Sequence, residues 1–105
     1  MNIIKNDLYI ILKLNNYSSW DTLHNYLTKS KNHTSNIIIN LLSSDLDTDE
    51  VVLKLVPFSI TWEKKNKSFI LVSNIGRKIS NNLILIKTLE EAIDFFHMDQ
   101  LTRSI

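Results

Sequence analysis

The sequence predicts an α/β domain with a mixed sheet of four to five strands, an N-terminal hairpin and about three helices, the last of them C-terminal. Three observations lead to this prediction. Short apolar runs alternate along the chain with segments of helical period. Residues 36–55, NIIINLLSSDLDTDEVVLKL, join an apolar run to a helical one through an acidic turn. Thr88 and Glu91 have the spacing of a capping box ahead of an amphipathic segment.

Length and composition indicate a single domain over residues 1–105. The chain is 44% hydrophobic and 22% charged, with one Gly and one Pro, which leaves no linker or low-complexity segment. The net charge is +1 and the basic residues are scattered, so neither a nucleic-acid partner nor an anionic membrane surface is expected. Charged residues interrupt the N-terminal apolar run, which therefore predicts neither a signal peptide nor a membrane span. We expect a cytoplasmic protein.

Metal and cofactor chemistry is not expected. The chain has no cysteine, which excludes thiolate nucleophiles and Cys-ligated zinc. His24, His33 and His97 show no metal-ligand spacing. Three aromatic residues are expected to lie in the core and not to contact a cofactor: Trp62, Phe95 and Phe96.

The N-terminal third predicts a hairpin followed by a helix. Residues 2–4 and 8–14 are β-rich runs separated by three polar residues. Ser18 and Asp21 have capping-box spacing, and the helix after them is expected to end near Lys31. Its buried face is expected to hold Trp20, Leu23, His24 and Leu27.

The remaining elements follow from apolar runs and from one proline. Residues 37–42 predict a central strand buried on both faces, and residues 68–73 and 83–86 predict two more strands. Pro57 predicts a kink or break in the helix after the acidic turn, because an interior proline costs about 3 kcal/mol. Residues 58–62 alternate with period two and alone would predict a strand. The last helix is expected to bury Leu89, Ala92, Ile93 and Phe96.

The acidic turn has the D-x-D-x-D spacing that opens a calcium loop, in Asp45, Asp47 and Asp49. That loop needs Gly at its sixth position and a bidentate acid at its twelfth. This chain has Glu50 and Val56 there. We therefore reject a calcium site.

Asp45-Leu46-Asp47-Thr48 also resembles the D-x-D-x-T motif of haloacid-dehalogenase phosphotransferases, in which the first Asp attacks phosphorus and the second is the acid/base. Those enzymes need a full doubly wound domain, a downstream Lys and further acids for magnesium, for which the chain has little room. No catalytic residue is therefore predicted. The simplest role of the turn is helix capping by Asp47 or Thr48, with two acids in the first helical turn, each contributing about 0.3–1 kcal/mol.

The order of elements resembles the STAS domain of anti-sigma-factor antagonists over nearly the whole chain. Two stretches carry the resemblance. One is residues 36–55, and the other is the tail, residues 86–99, IKTLEEAIDFFHMD. The tail is similar to the T-x-x-E-A-x-D ending of small bacterial STAS proteins of the Bacteroidetes type.

In that family the buried strand leads into a turn of the type D-S-S-G-L, whose second Ser is phosphorylated by the partner kinase to end the interaction. Laid onto this chain without gaps, the turn falls on residues 48–52, with Glu50 at the phosphorylated position and Val51 at the Gly. Glutamate has less charge than phosphoserine, which carries about −1.5 to −2, so Glu50 mimics it only in part.

The resemblance implies a non-enzymatic regulatory module without the phosphorylatable Ser, whose partner is a protein such as a kinase-type anti-sigma factor. The residues it implies for partner binding are Asp47, Thr48, Asp49, Glu50, Val51 and Lys54. Residues 73–82, SNIGRKISNN, stand where family members carry another helix and are too few for more than a turn. Two alternatives stay open: a cytoplasmic STAS adaptor subunit of a membrane transporter, and a reduced phosphatase using Asp45 and Asp47.

Overall fold

The computed structural model describes residues 1–29, 34–74 and 83–104. These residues form five strands and three helices. The predicted behaviour of residues 75–82 and the position of His33 lie outside the described residues. The elements are β1 (Asn2–Lys5), β2 (Ile10–Lys13), α1 (Trp20–Thr28), β3 (Ile37–Asn40), α2 (Thr48–Lys64), β4 (Phe69–Val72), β5 (Ile84–Ile86) and α3 (Leu89–Arg103).

The five strands form one mixed sheet in the order β1-β2-β3-β4-β5. β1 pairs antiparallel with β2, and the other neighbours pair in parallel. All four residues of β3 are buried, as predicted for a central strand covered on both faces. The predicted α/β class, mixed sheet, N-terminal hairpin and C-terminal helix are confirmed.

Helices cover both faces of the sheet, because successive strand residues point to opposite sides. On one face, Leu12, Ile39 and Leu71 join a core with residues of α1 and α2. On the other face, Ile38 and Ile70 pack with residues of α3. No helix among the described residues is long and apolar enough to cross a bilayer.

The start of α1 differs by one residue from the prediction. The N-cap is Ser19, whose hydroxyl accepts the N–H of Thr22 at 3.2 Å. Ser18 instead accepts the N–H of Asn15 at 3.0 Å, so its oxygen serves the turn that precedes the helix. The helix ends at Thr28, earlier than the predicted end near Lys31. The capping box predicted at Ser18 is therefore wrong.

α2 runs from Thr48 to Lys64 through Pro57, so the helix does not break at the proline, and residues 58–62 are helical and not the strand that their alternation alone would predict. Pro57 and Leu53 are both exposed, which lets water reach the carbonyl of Leu53 that loses its helical donor. Trp62, beyond the proline, is fully buried in the same core as the first turns of the helix. Burial of one helical face outweighs both the local alternation and the cost of the proline.

Pro57→Ala is expected to raise the free energy of unfolding by about 1–2 kcal/mol. The change restores a backbone N–H at an exposed helical position, and the proline's lower unfolded-state entropy offsets part of the gain. Urea denaturation at low protein concentration measures the effect. Lys64→Ala, at an exposed position of the same helix, is the control and should change the value by less than about 0.5 kcal/mol. An unchanged or lower stability in Pro57→Ala would contradict the expectation.

α3 begins as predicted. The Thr88 hydroxyl accepts the N–H of Glu91 at 3.1 Å. Ala92 and Phe96 are buried, and Leu89 and Ile93 pack against the same cluster. The helix continues to Arg103, and its buried side confirms the periodicity.

A polar network fastens the last turns of α3 to the amino ends of β3 and β4. The Asn36 side chain donates to the carbonyl of Leu8 at 2.9 Å and accepts the N–H of Ser68 at 2.9 Å. Gln100 donates to the Asn36 side-chain oxygen at 3.3 Å and to the Ser68 hydroxyl at 2.9 Å. The network thus links three elements that are far apart in sequence.

Arg103 extends this connection to the end of α2. Its guanidinium lies 2.9 Å from Asp99 and 2.7 Å from Glu63, and it donates to the Asn66 side chain at 3.1 Å. Burial alone would lower the pKa of Arg103, but hydrogen bonds and charges from Glu63 and Asp99 outweigh it and raise the pKa above its ordinary value. Arg103 is therefore a fixed positive charge between the ends of α2 and α3.

Candidate functional site

The acidic turn leaves the carboxyl end of the central strand. Asn40, the last residue of β3, accepts the N–H of Leu42 through its side-chain oxygen at 3.0 Å. The Ser44 hydroxyl accepts the N–H of Leu46 at 3.1 Å. These short-range bonds satisfy backbone donors in the connection and direct the chain from the sheet into α2.

Asp47 caps α2. Its carboxylate accepts the N–H of Glu50 at 3.3 Å, and Asp49 and Glu50 lie in the first helical turn. Negative charges at this end interact favourably with the helix dipole. The prediction that Asp47 or Thr48 caps the helix is confirmed for Asp47.

Glu50 begins a row of side chains that crosses from α2 to α1. Its carboxylate lies 3.0 Å from the ammonium of Lys54, in a pair whose side chains are 62% and 43% exposed. The Lys54 ammonium lies 5.3 Å from the centre of the Trp20 ring, within cation–π range. Trp20 in turn contacts His24 and Phe58, with ring centres 5.6 Å and 6.5 Å away. The row therefore combines an acid, a cation and half-buried aromatic rings.

The structure separates the residues predicted to bind a partner into two groups. Asp47, Glu50 and Lys54 are exposed on one side of the first turns of α2, beside the half-buried Asp49. Val51 is 3% exposed and belongs to the hydrophobic core, so its side chain does not offer a contact surface. Thr48 is the first residue of α2.

Sequence reasoning missed the aromatic part of this surface. The sequence pattern predicts Trp20 on the buried face of α1 and places Phe58 in a segment that alternates with period two. The available signal was the four-residue spacing of Glu50, Lys54 and Phe58, which places them along one side of a helix. The kink or break expected at Pro57 obscures this spacing.

Asp47→Ala is expected to lower the free energy of unfolding by about 1 kcal/mol, because a backbone donor of the first turn loses its acceptor. Asp47→Asn retains a side-chain oxygen and should lose less. Asp45→Ala is the control, since Asp45 is an exposed acid of the same turn that lies before the N-cap. Equal losses in Asp45→Ala and Asp47→Ala would indicate a general charge effect instead of capping.

The described residues hold no group of three or more His, Asp or Glu side chains arranged to bind a metal ion. What they do present is a charged, partly aromatic surface at the carboxyl end of a parallel strand, where α/β proteins commonly bind ligands and partners. Comparisons with protein-family models, with curated proteins and with solved structures find no match for this chain. Its function is therefore inferred from its residues and their geometry.

Proposed function

We propose that this chain is a non-enzymatic regulatory module of the anti-sigma-factor-antagonist type, which binds a protein partner through the acidic turn and the first two turns of α2. The observation that carries the proposal is the position of Glu50. It is exposed in the first turn of α2, after the central strand, at the position where the family resemblance has its phosphorylated Ser. A cytoplasmic location in a bacterium belongs to the same proposal.

The arrangement of elements supports this role. Hairpin, helix, strand, helix, two strands and C-terminal helix follow one another in the order on which the STAS resemblance depends. The turn lies at the carboxyl end of β3, between parallel neighbours on both sides. The carboxyl end of a parallel strand is accessible to a partner, because the loop that leaves it lies at the edge of the sheet and not within the core.

The charge of the surface indicates what the partner brings. Asp45, Asp47 and Glu50 are exposed and favour a partner with Lys or Arg at the contact. Glu50 already pairs with Lys54, but an exposed pair of this kind is worth only about 0–1 kcal/mol. A basic side chain of the partner can replace Lys54 at small cost.

A pull-down from native extract tests the proposal. The wild-type chain is expected to retain a specific protein, and Glu50→Gln is expected to retain several-fold less of it because a charge contact is lost. Glu91→Gln is a matched control: Glu91 is also an exposed acid three residues after an N-cap, but it lies on the helix of the opposite sheet face. Equal retention by all three proteins would contradict a binding role for Glu50.

Phosphorylation tests the loss of the switch. With ATP and the captured kinase-type partner, the wild-type chain should take up no phosphate, whereas Glu50→Ser should be phosphorylated at position 50. Mass spectrometry locates the phosphate. Uptake by the wild type at Ser43, Ser44 or Thr48 would show that the switch is retained at a neighbouring residue.

The identity of the captured protein separates the remaining roles. A transporter ATPase in place of a kinase-type anti-sigma factor would identify the chain as an adaptor subunit. Magnesium-dependent phosphatase activity that disappears in Asp45→Asn would instead identify an enzyme that uses Asp45 and Asp47.

A further inference from the structure

The outward side of α2 carries an apolar stripe, which we define as Leu53, Pro57 and Ile60. Leu53 is 58% exposed, Ile60 is 38% exposed, and Pro57 is exposed between them. Spacings of four and three residues place all three on one line along a helix. The opposite side of α2 packs on the sheet. A helix that is apolar on both sides is typical of one that is covered on both sides.

Opposite charges flank the two ends of the stripe. Asp49 and Glu50 lie in the first turn of α2. Lys64 is in the last turn and Lys65 is the C-cap, and both are exposed. Along the line of the stripe, the charge therefore changes from Glu50 at one end to Lys64 at the other. Lys54 and Glu63 are also exposed on α2, and each is paired within its own chain, with Glu50 and with Arg103.

This pattern is complementary to itself when reversed. Glu50 and Lys64 stand seven residues before and after Pro57, on the same line of the helix as the stripe. Asp49 and Lys65 stand eight residues before and after it, but on nearly opposite sides of the helix, so they do not form a second pair. With a rise of about 1.5 Å per residue, Glu50 is as far from Pro57 as Lys64 is. An antiparallel copy of the helix, crossing at Pro57, brings Glu50 of each subunit opposite Lys64 of the other. A parallel copy would bring like charges together.

We propose that α2 packs against α2 of a second copy of this chain as an antiparallel pair around a two-fold axis at Pro57. In such an interface the same surface is used by both subunits. Leu53 of one subunit then lies beside Ile60 of the other, and Glu50 faces Lys64 at both ends. A basic helix from another protein would match the acidic end of the stripe but would meet like charge at the lysine end. The second copy matches both.

The dimer is expected to be reversible, because packing at Pro57 also removes water from the Leu53 carbonyl, which has no helical donor. A contact confined to one helix of each subunit is smaller than the roughly 1,200–2,000 Å² buried in stable interfaces. Added salt should weaken it, because the end pairs are exposed. Glu50 belongs both to this contact and to the proposed partner surface, so partner binding and self-association would compete. The tests use the purified chain alone, so their outcome is independent of whether the partner proposal holds.

Sedimentation velocity over about 5 µM to 1 mM, a range that detects dissociation constants in the micromolar region, tests the proposal. The mass should rise with concentration from 12.2 kDa towards twice that value. Ile60→Lys should raise the dissociation constant at least tenfold, whereas Met98→Lys, at a 66% exposed position of α3, should leave it unchanged. A chain that stays monomeric at every concentration overturns the proposal. Equal effects of the two substitutions overturn it as well.

Charge reversal tests the antiparallel register. Glu50→Lys alone and Lys64→Glu alone should each weaken self-association at least several-fold, because each places like charges together at both ends. An equimolar mixture of the two variants should restore association, since every 50–64 pair in the mixed dimer is again of opposite charge. Circular dichroism confirms that both variants remain helical. If mixing gives no more dimer than the variants do separately, the proposed register is wrong.

Discussion

Trp62→Ala is expected to lower the free energy of unfolding by about 3–5 kcal/mol, the usual loss when a large buried aromatic residue is truncated. Trp62 is fully buried between α2 and the sheet. Its ring centre lies 5.2 Å from that of Phe69 on β4. Its indole N–H donates to the carbonyl of Ser35 at 2.8 Å. The substitution therefore removes packing and leaves a carbonyl at the start of β3 without this donor.

Urea denaturation followed by circular dichroism measures the loss. Trp62→Phe separates its two parts, because it keeps an aromatic ring but removes the N–H, and it should cost about 1–2 kcal/mol. Trp20→Phe is the control at a half-buried position and should change stability by less. It also leaves Trp62 as the sole tryptophan, whose fluorescence should be blue-shifted in the folded protein. An emission typical of exposed indole would contradict its burial.

Asn36→Ala is expected to lower the free energy of unfolding by about 2–4 kcal/mol. Asn36 is 9% exposed, and its side chain bonds the hairpin at Leu8, β4 at Ser68 and α3 at Gln100. Ser68 is fully buried, so its N–H has no access to water once the side-chain oxygen of Asn36 is gone. Leaving a buried donor unsatisfied costs about 1–3 kcal/mol, and the other bonds add to this.

The matched control is Asn25→Ala, which removes the same side chain from an exposed position of α1 and should change stability by no more than about 0.5 kcal/mol. Gln100→Ala leaves the Asn36 bonds to Leu8 and Ser68 in place and should lower the free energy of unfolding by about 1 kcal/mol. Denaturation midpoints of the three variants give the order. If Asn36→Ala cost no more than Gln100→Ala, the Asn36 side chain would not be the centre of the network.

The elements that sequence reasoning placed correctly are those whose signals are local and agree with one another. The apolar run that contains β3 is too short for a typical helix, which favours a strand covered on both faces. In α3, the Thr88 cap and the spacing of Ala92 and Phe96 both indicate a helix beginning at the same residue. Agreement between cap and period makes such an assignment reliable.

The failures have physical causes that a local pattern does not contain. Pro57 breaks a helix only if the carbonyl four residues earlier finds no other hydrogen-bond donor. Whether water can reach that carbonyl depends on which side of the helix meets the sheet. The alternation at residues 58–62 is overridden by burial of Trp62. Ser18 and Ser19 are chemically equivalent as caps, and the choice between them depends on Asn15, which uses the hydroxyl of Ser18.

The candidate site was predictable only in part. The cap at Asp47 follows from residue type and position, whereas the exposure of Glu50 depends on which side of α2 meets the sheet. The STAS resemblance implies a binding role for Val51, but its helical position relative to Val52 and Leu55 turns its side chain towards the core. The contact between Lys54 and Trp20 joins two helices, so no spacing within either one indicates it.

Strand order along the sheet equals strand order along the chain, and this bears on how the protein folds as it is synthesised. Each described strand from β2 onwards pairs with the strand before it, so the sheet can grow by one strand at a time without waiting for a distant segment. Each parallel pairing still closes a long loop, because Ile10 and Ile37 are 27 residues apart and Ile37 and Phe69 are 32 residues apart, and pairings of this kind form slowly. α3 is the exception to the stepwise order, because Gln100 reaches back to Asn36 across 64 residues. The polar network at Asn36 can therefore close only after α3 has been synthesised, when all five described strands are already available for pairing.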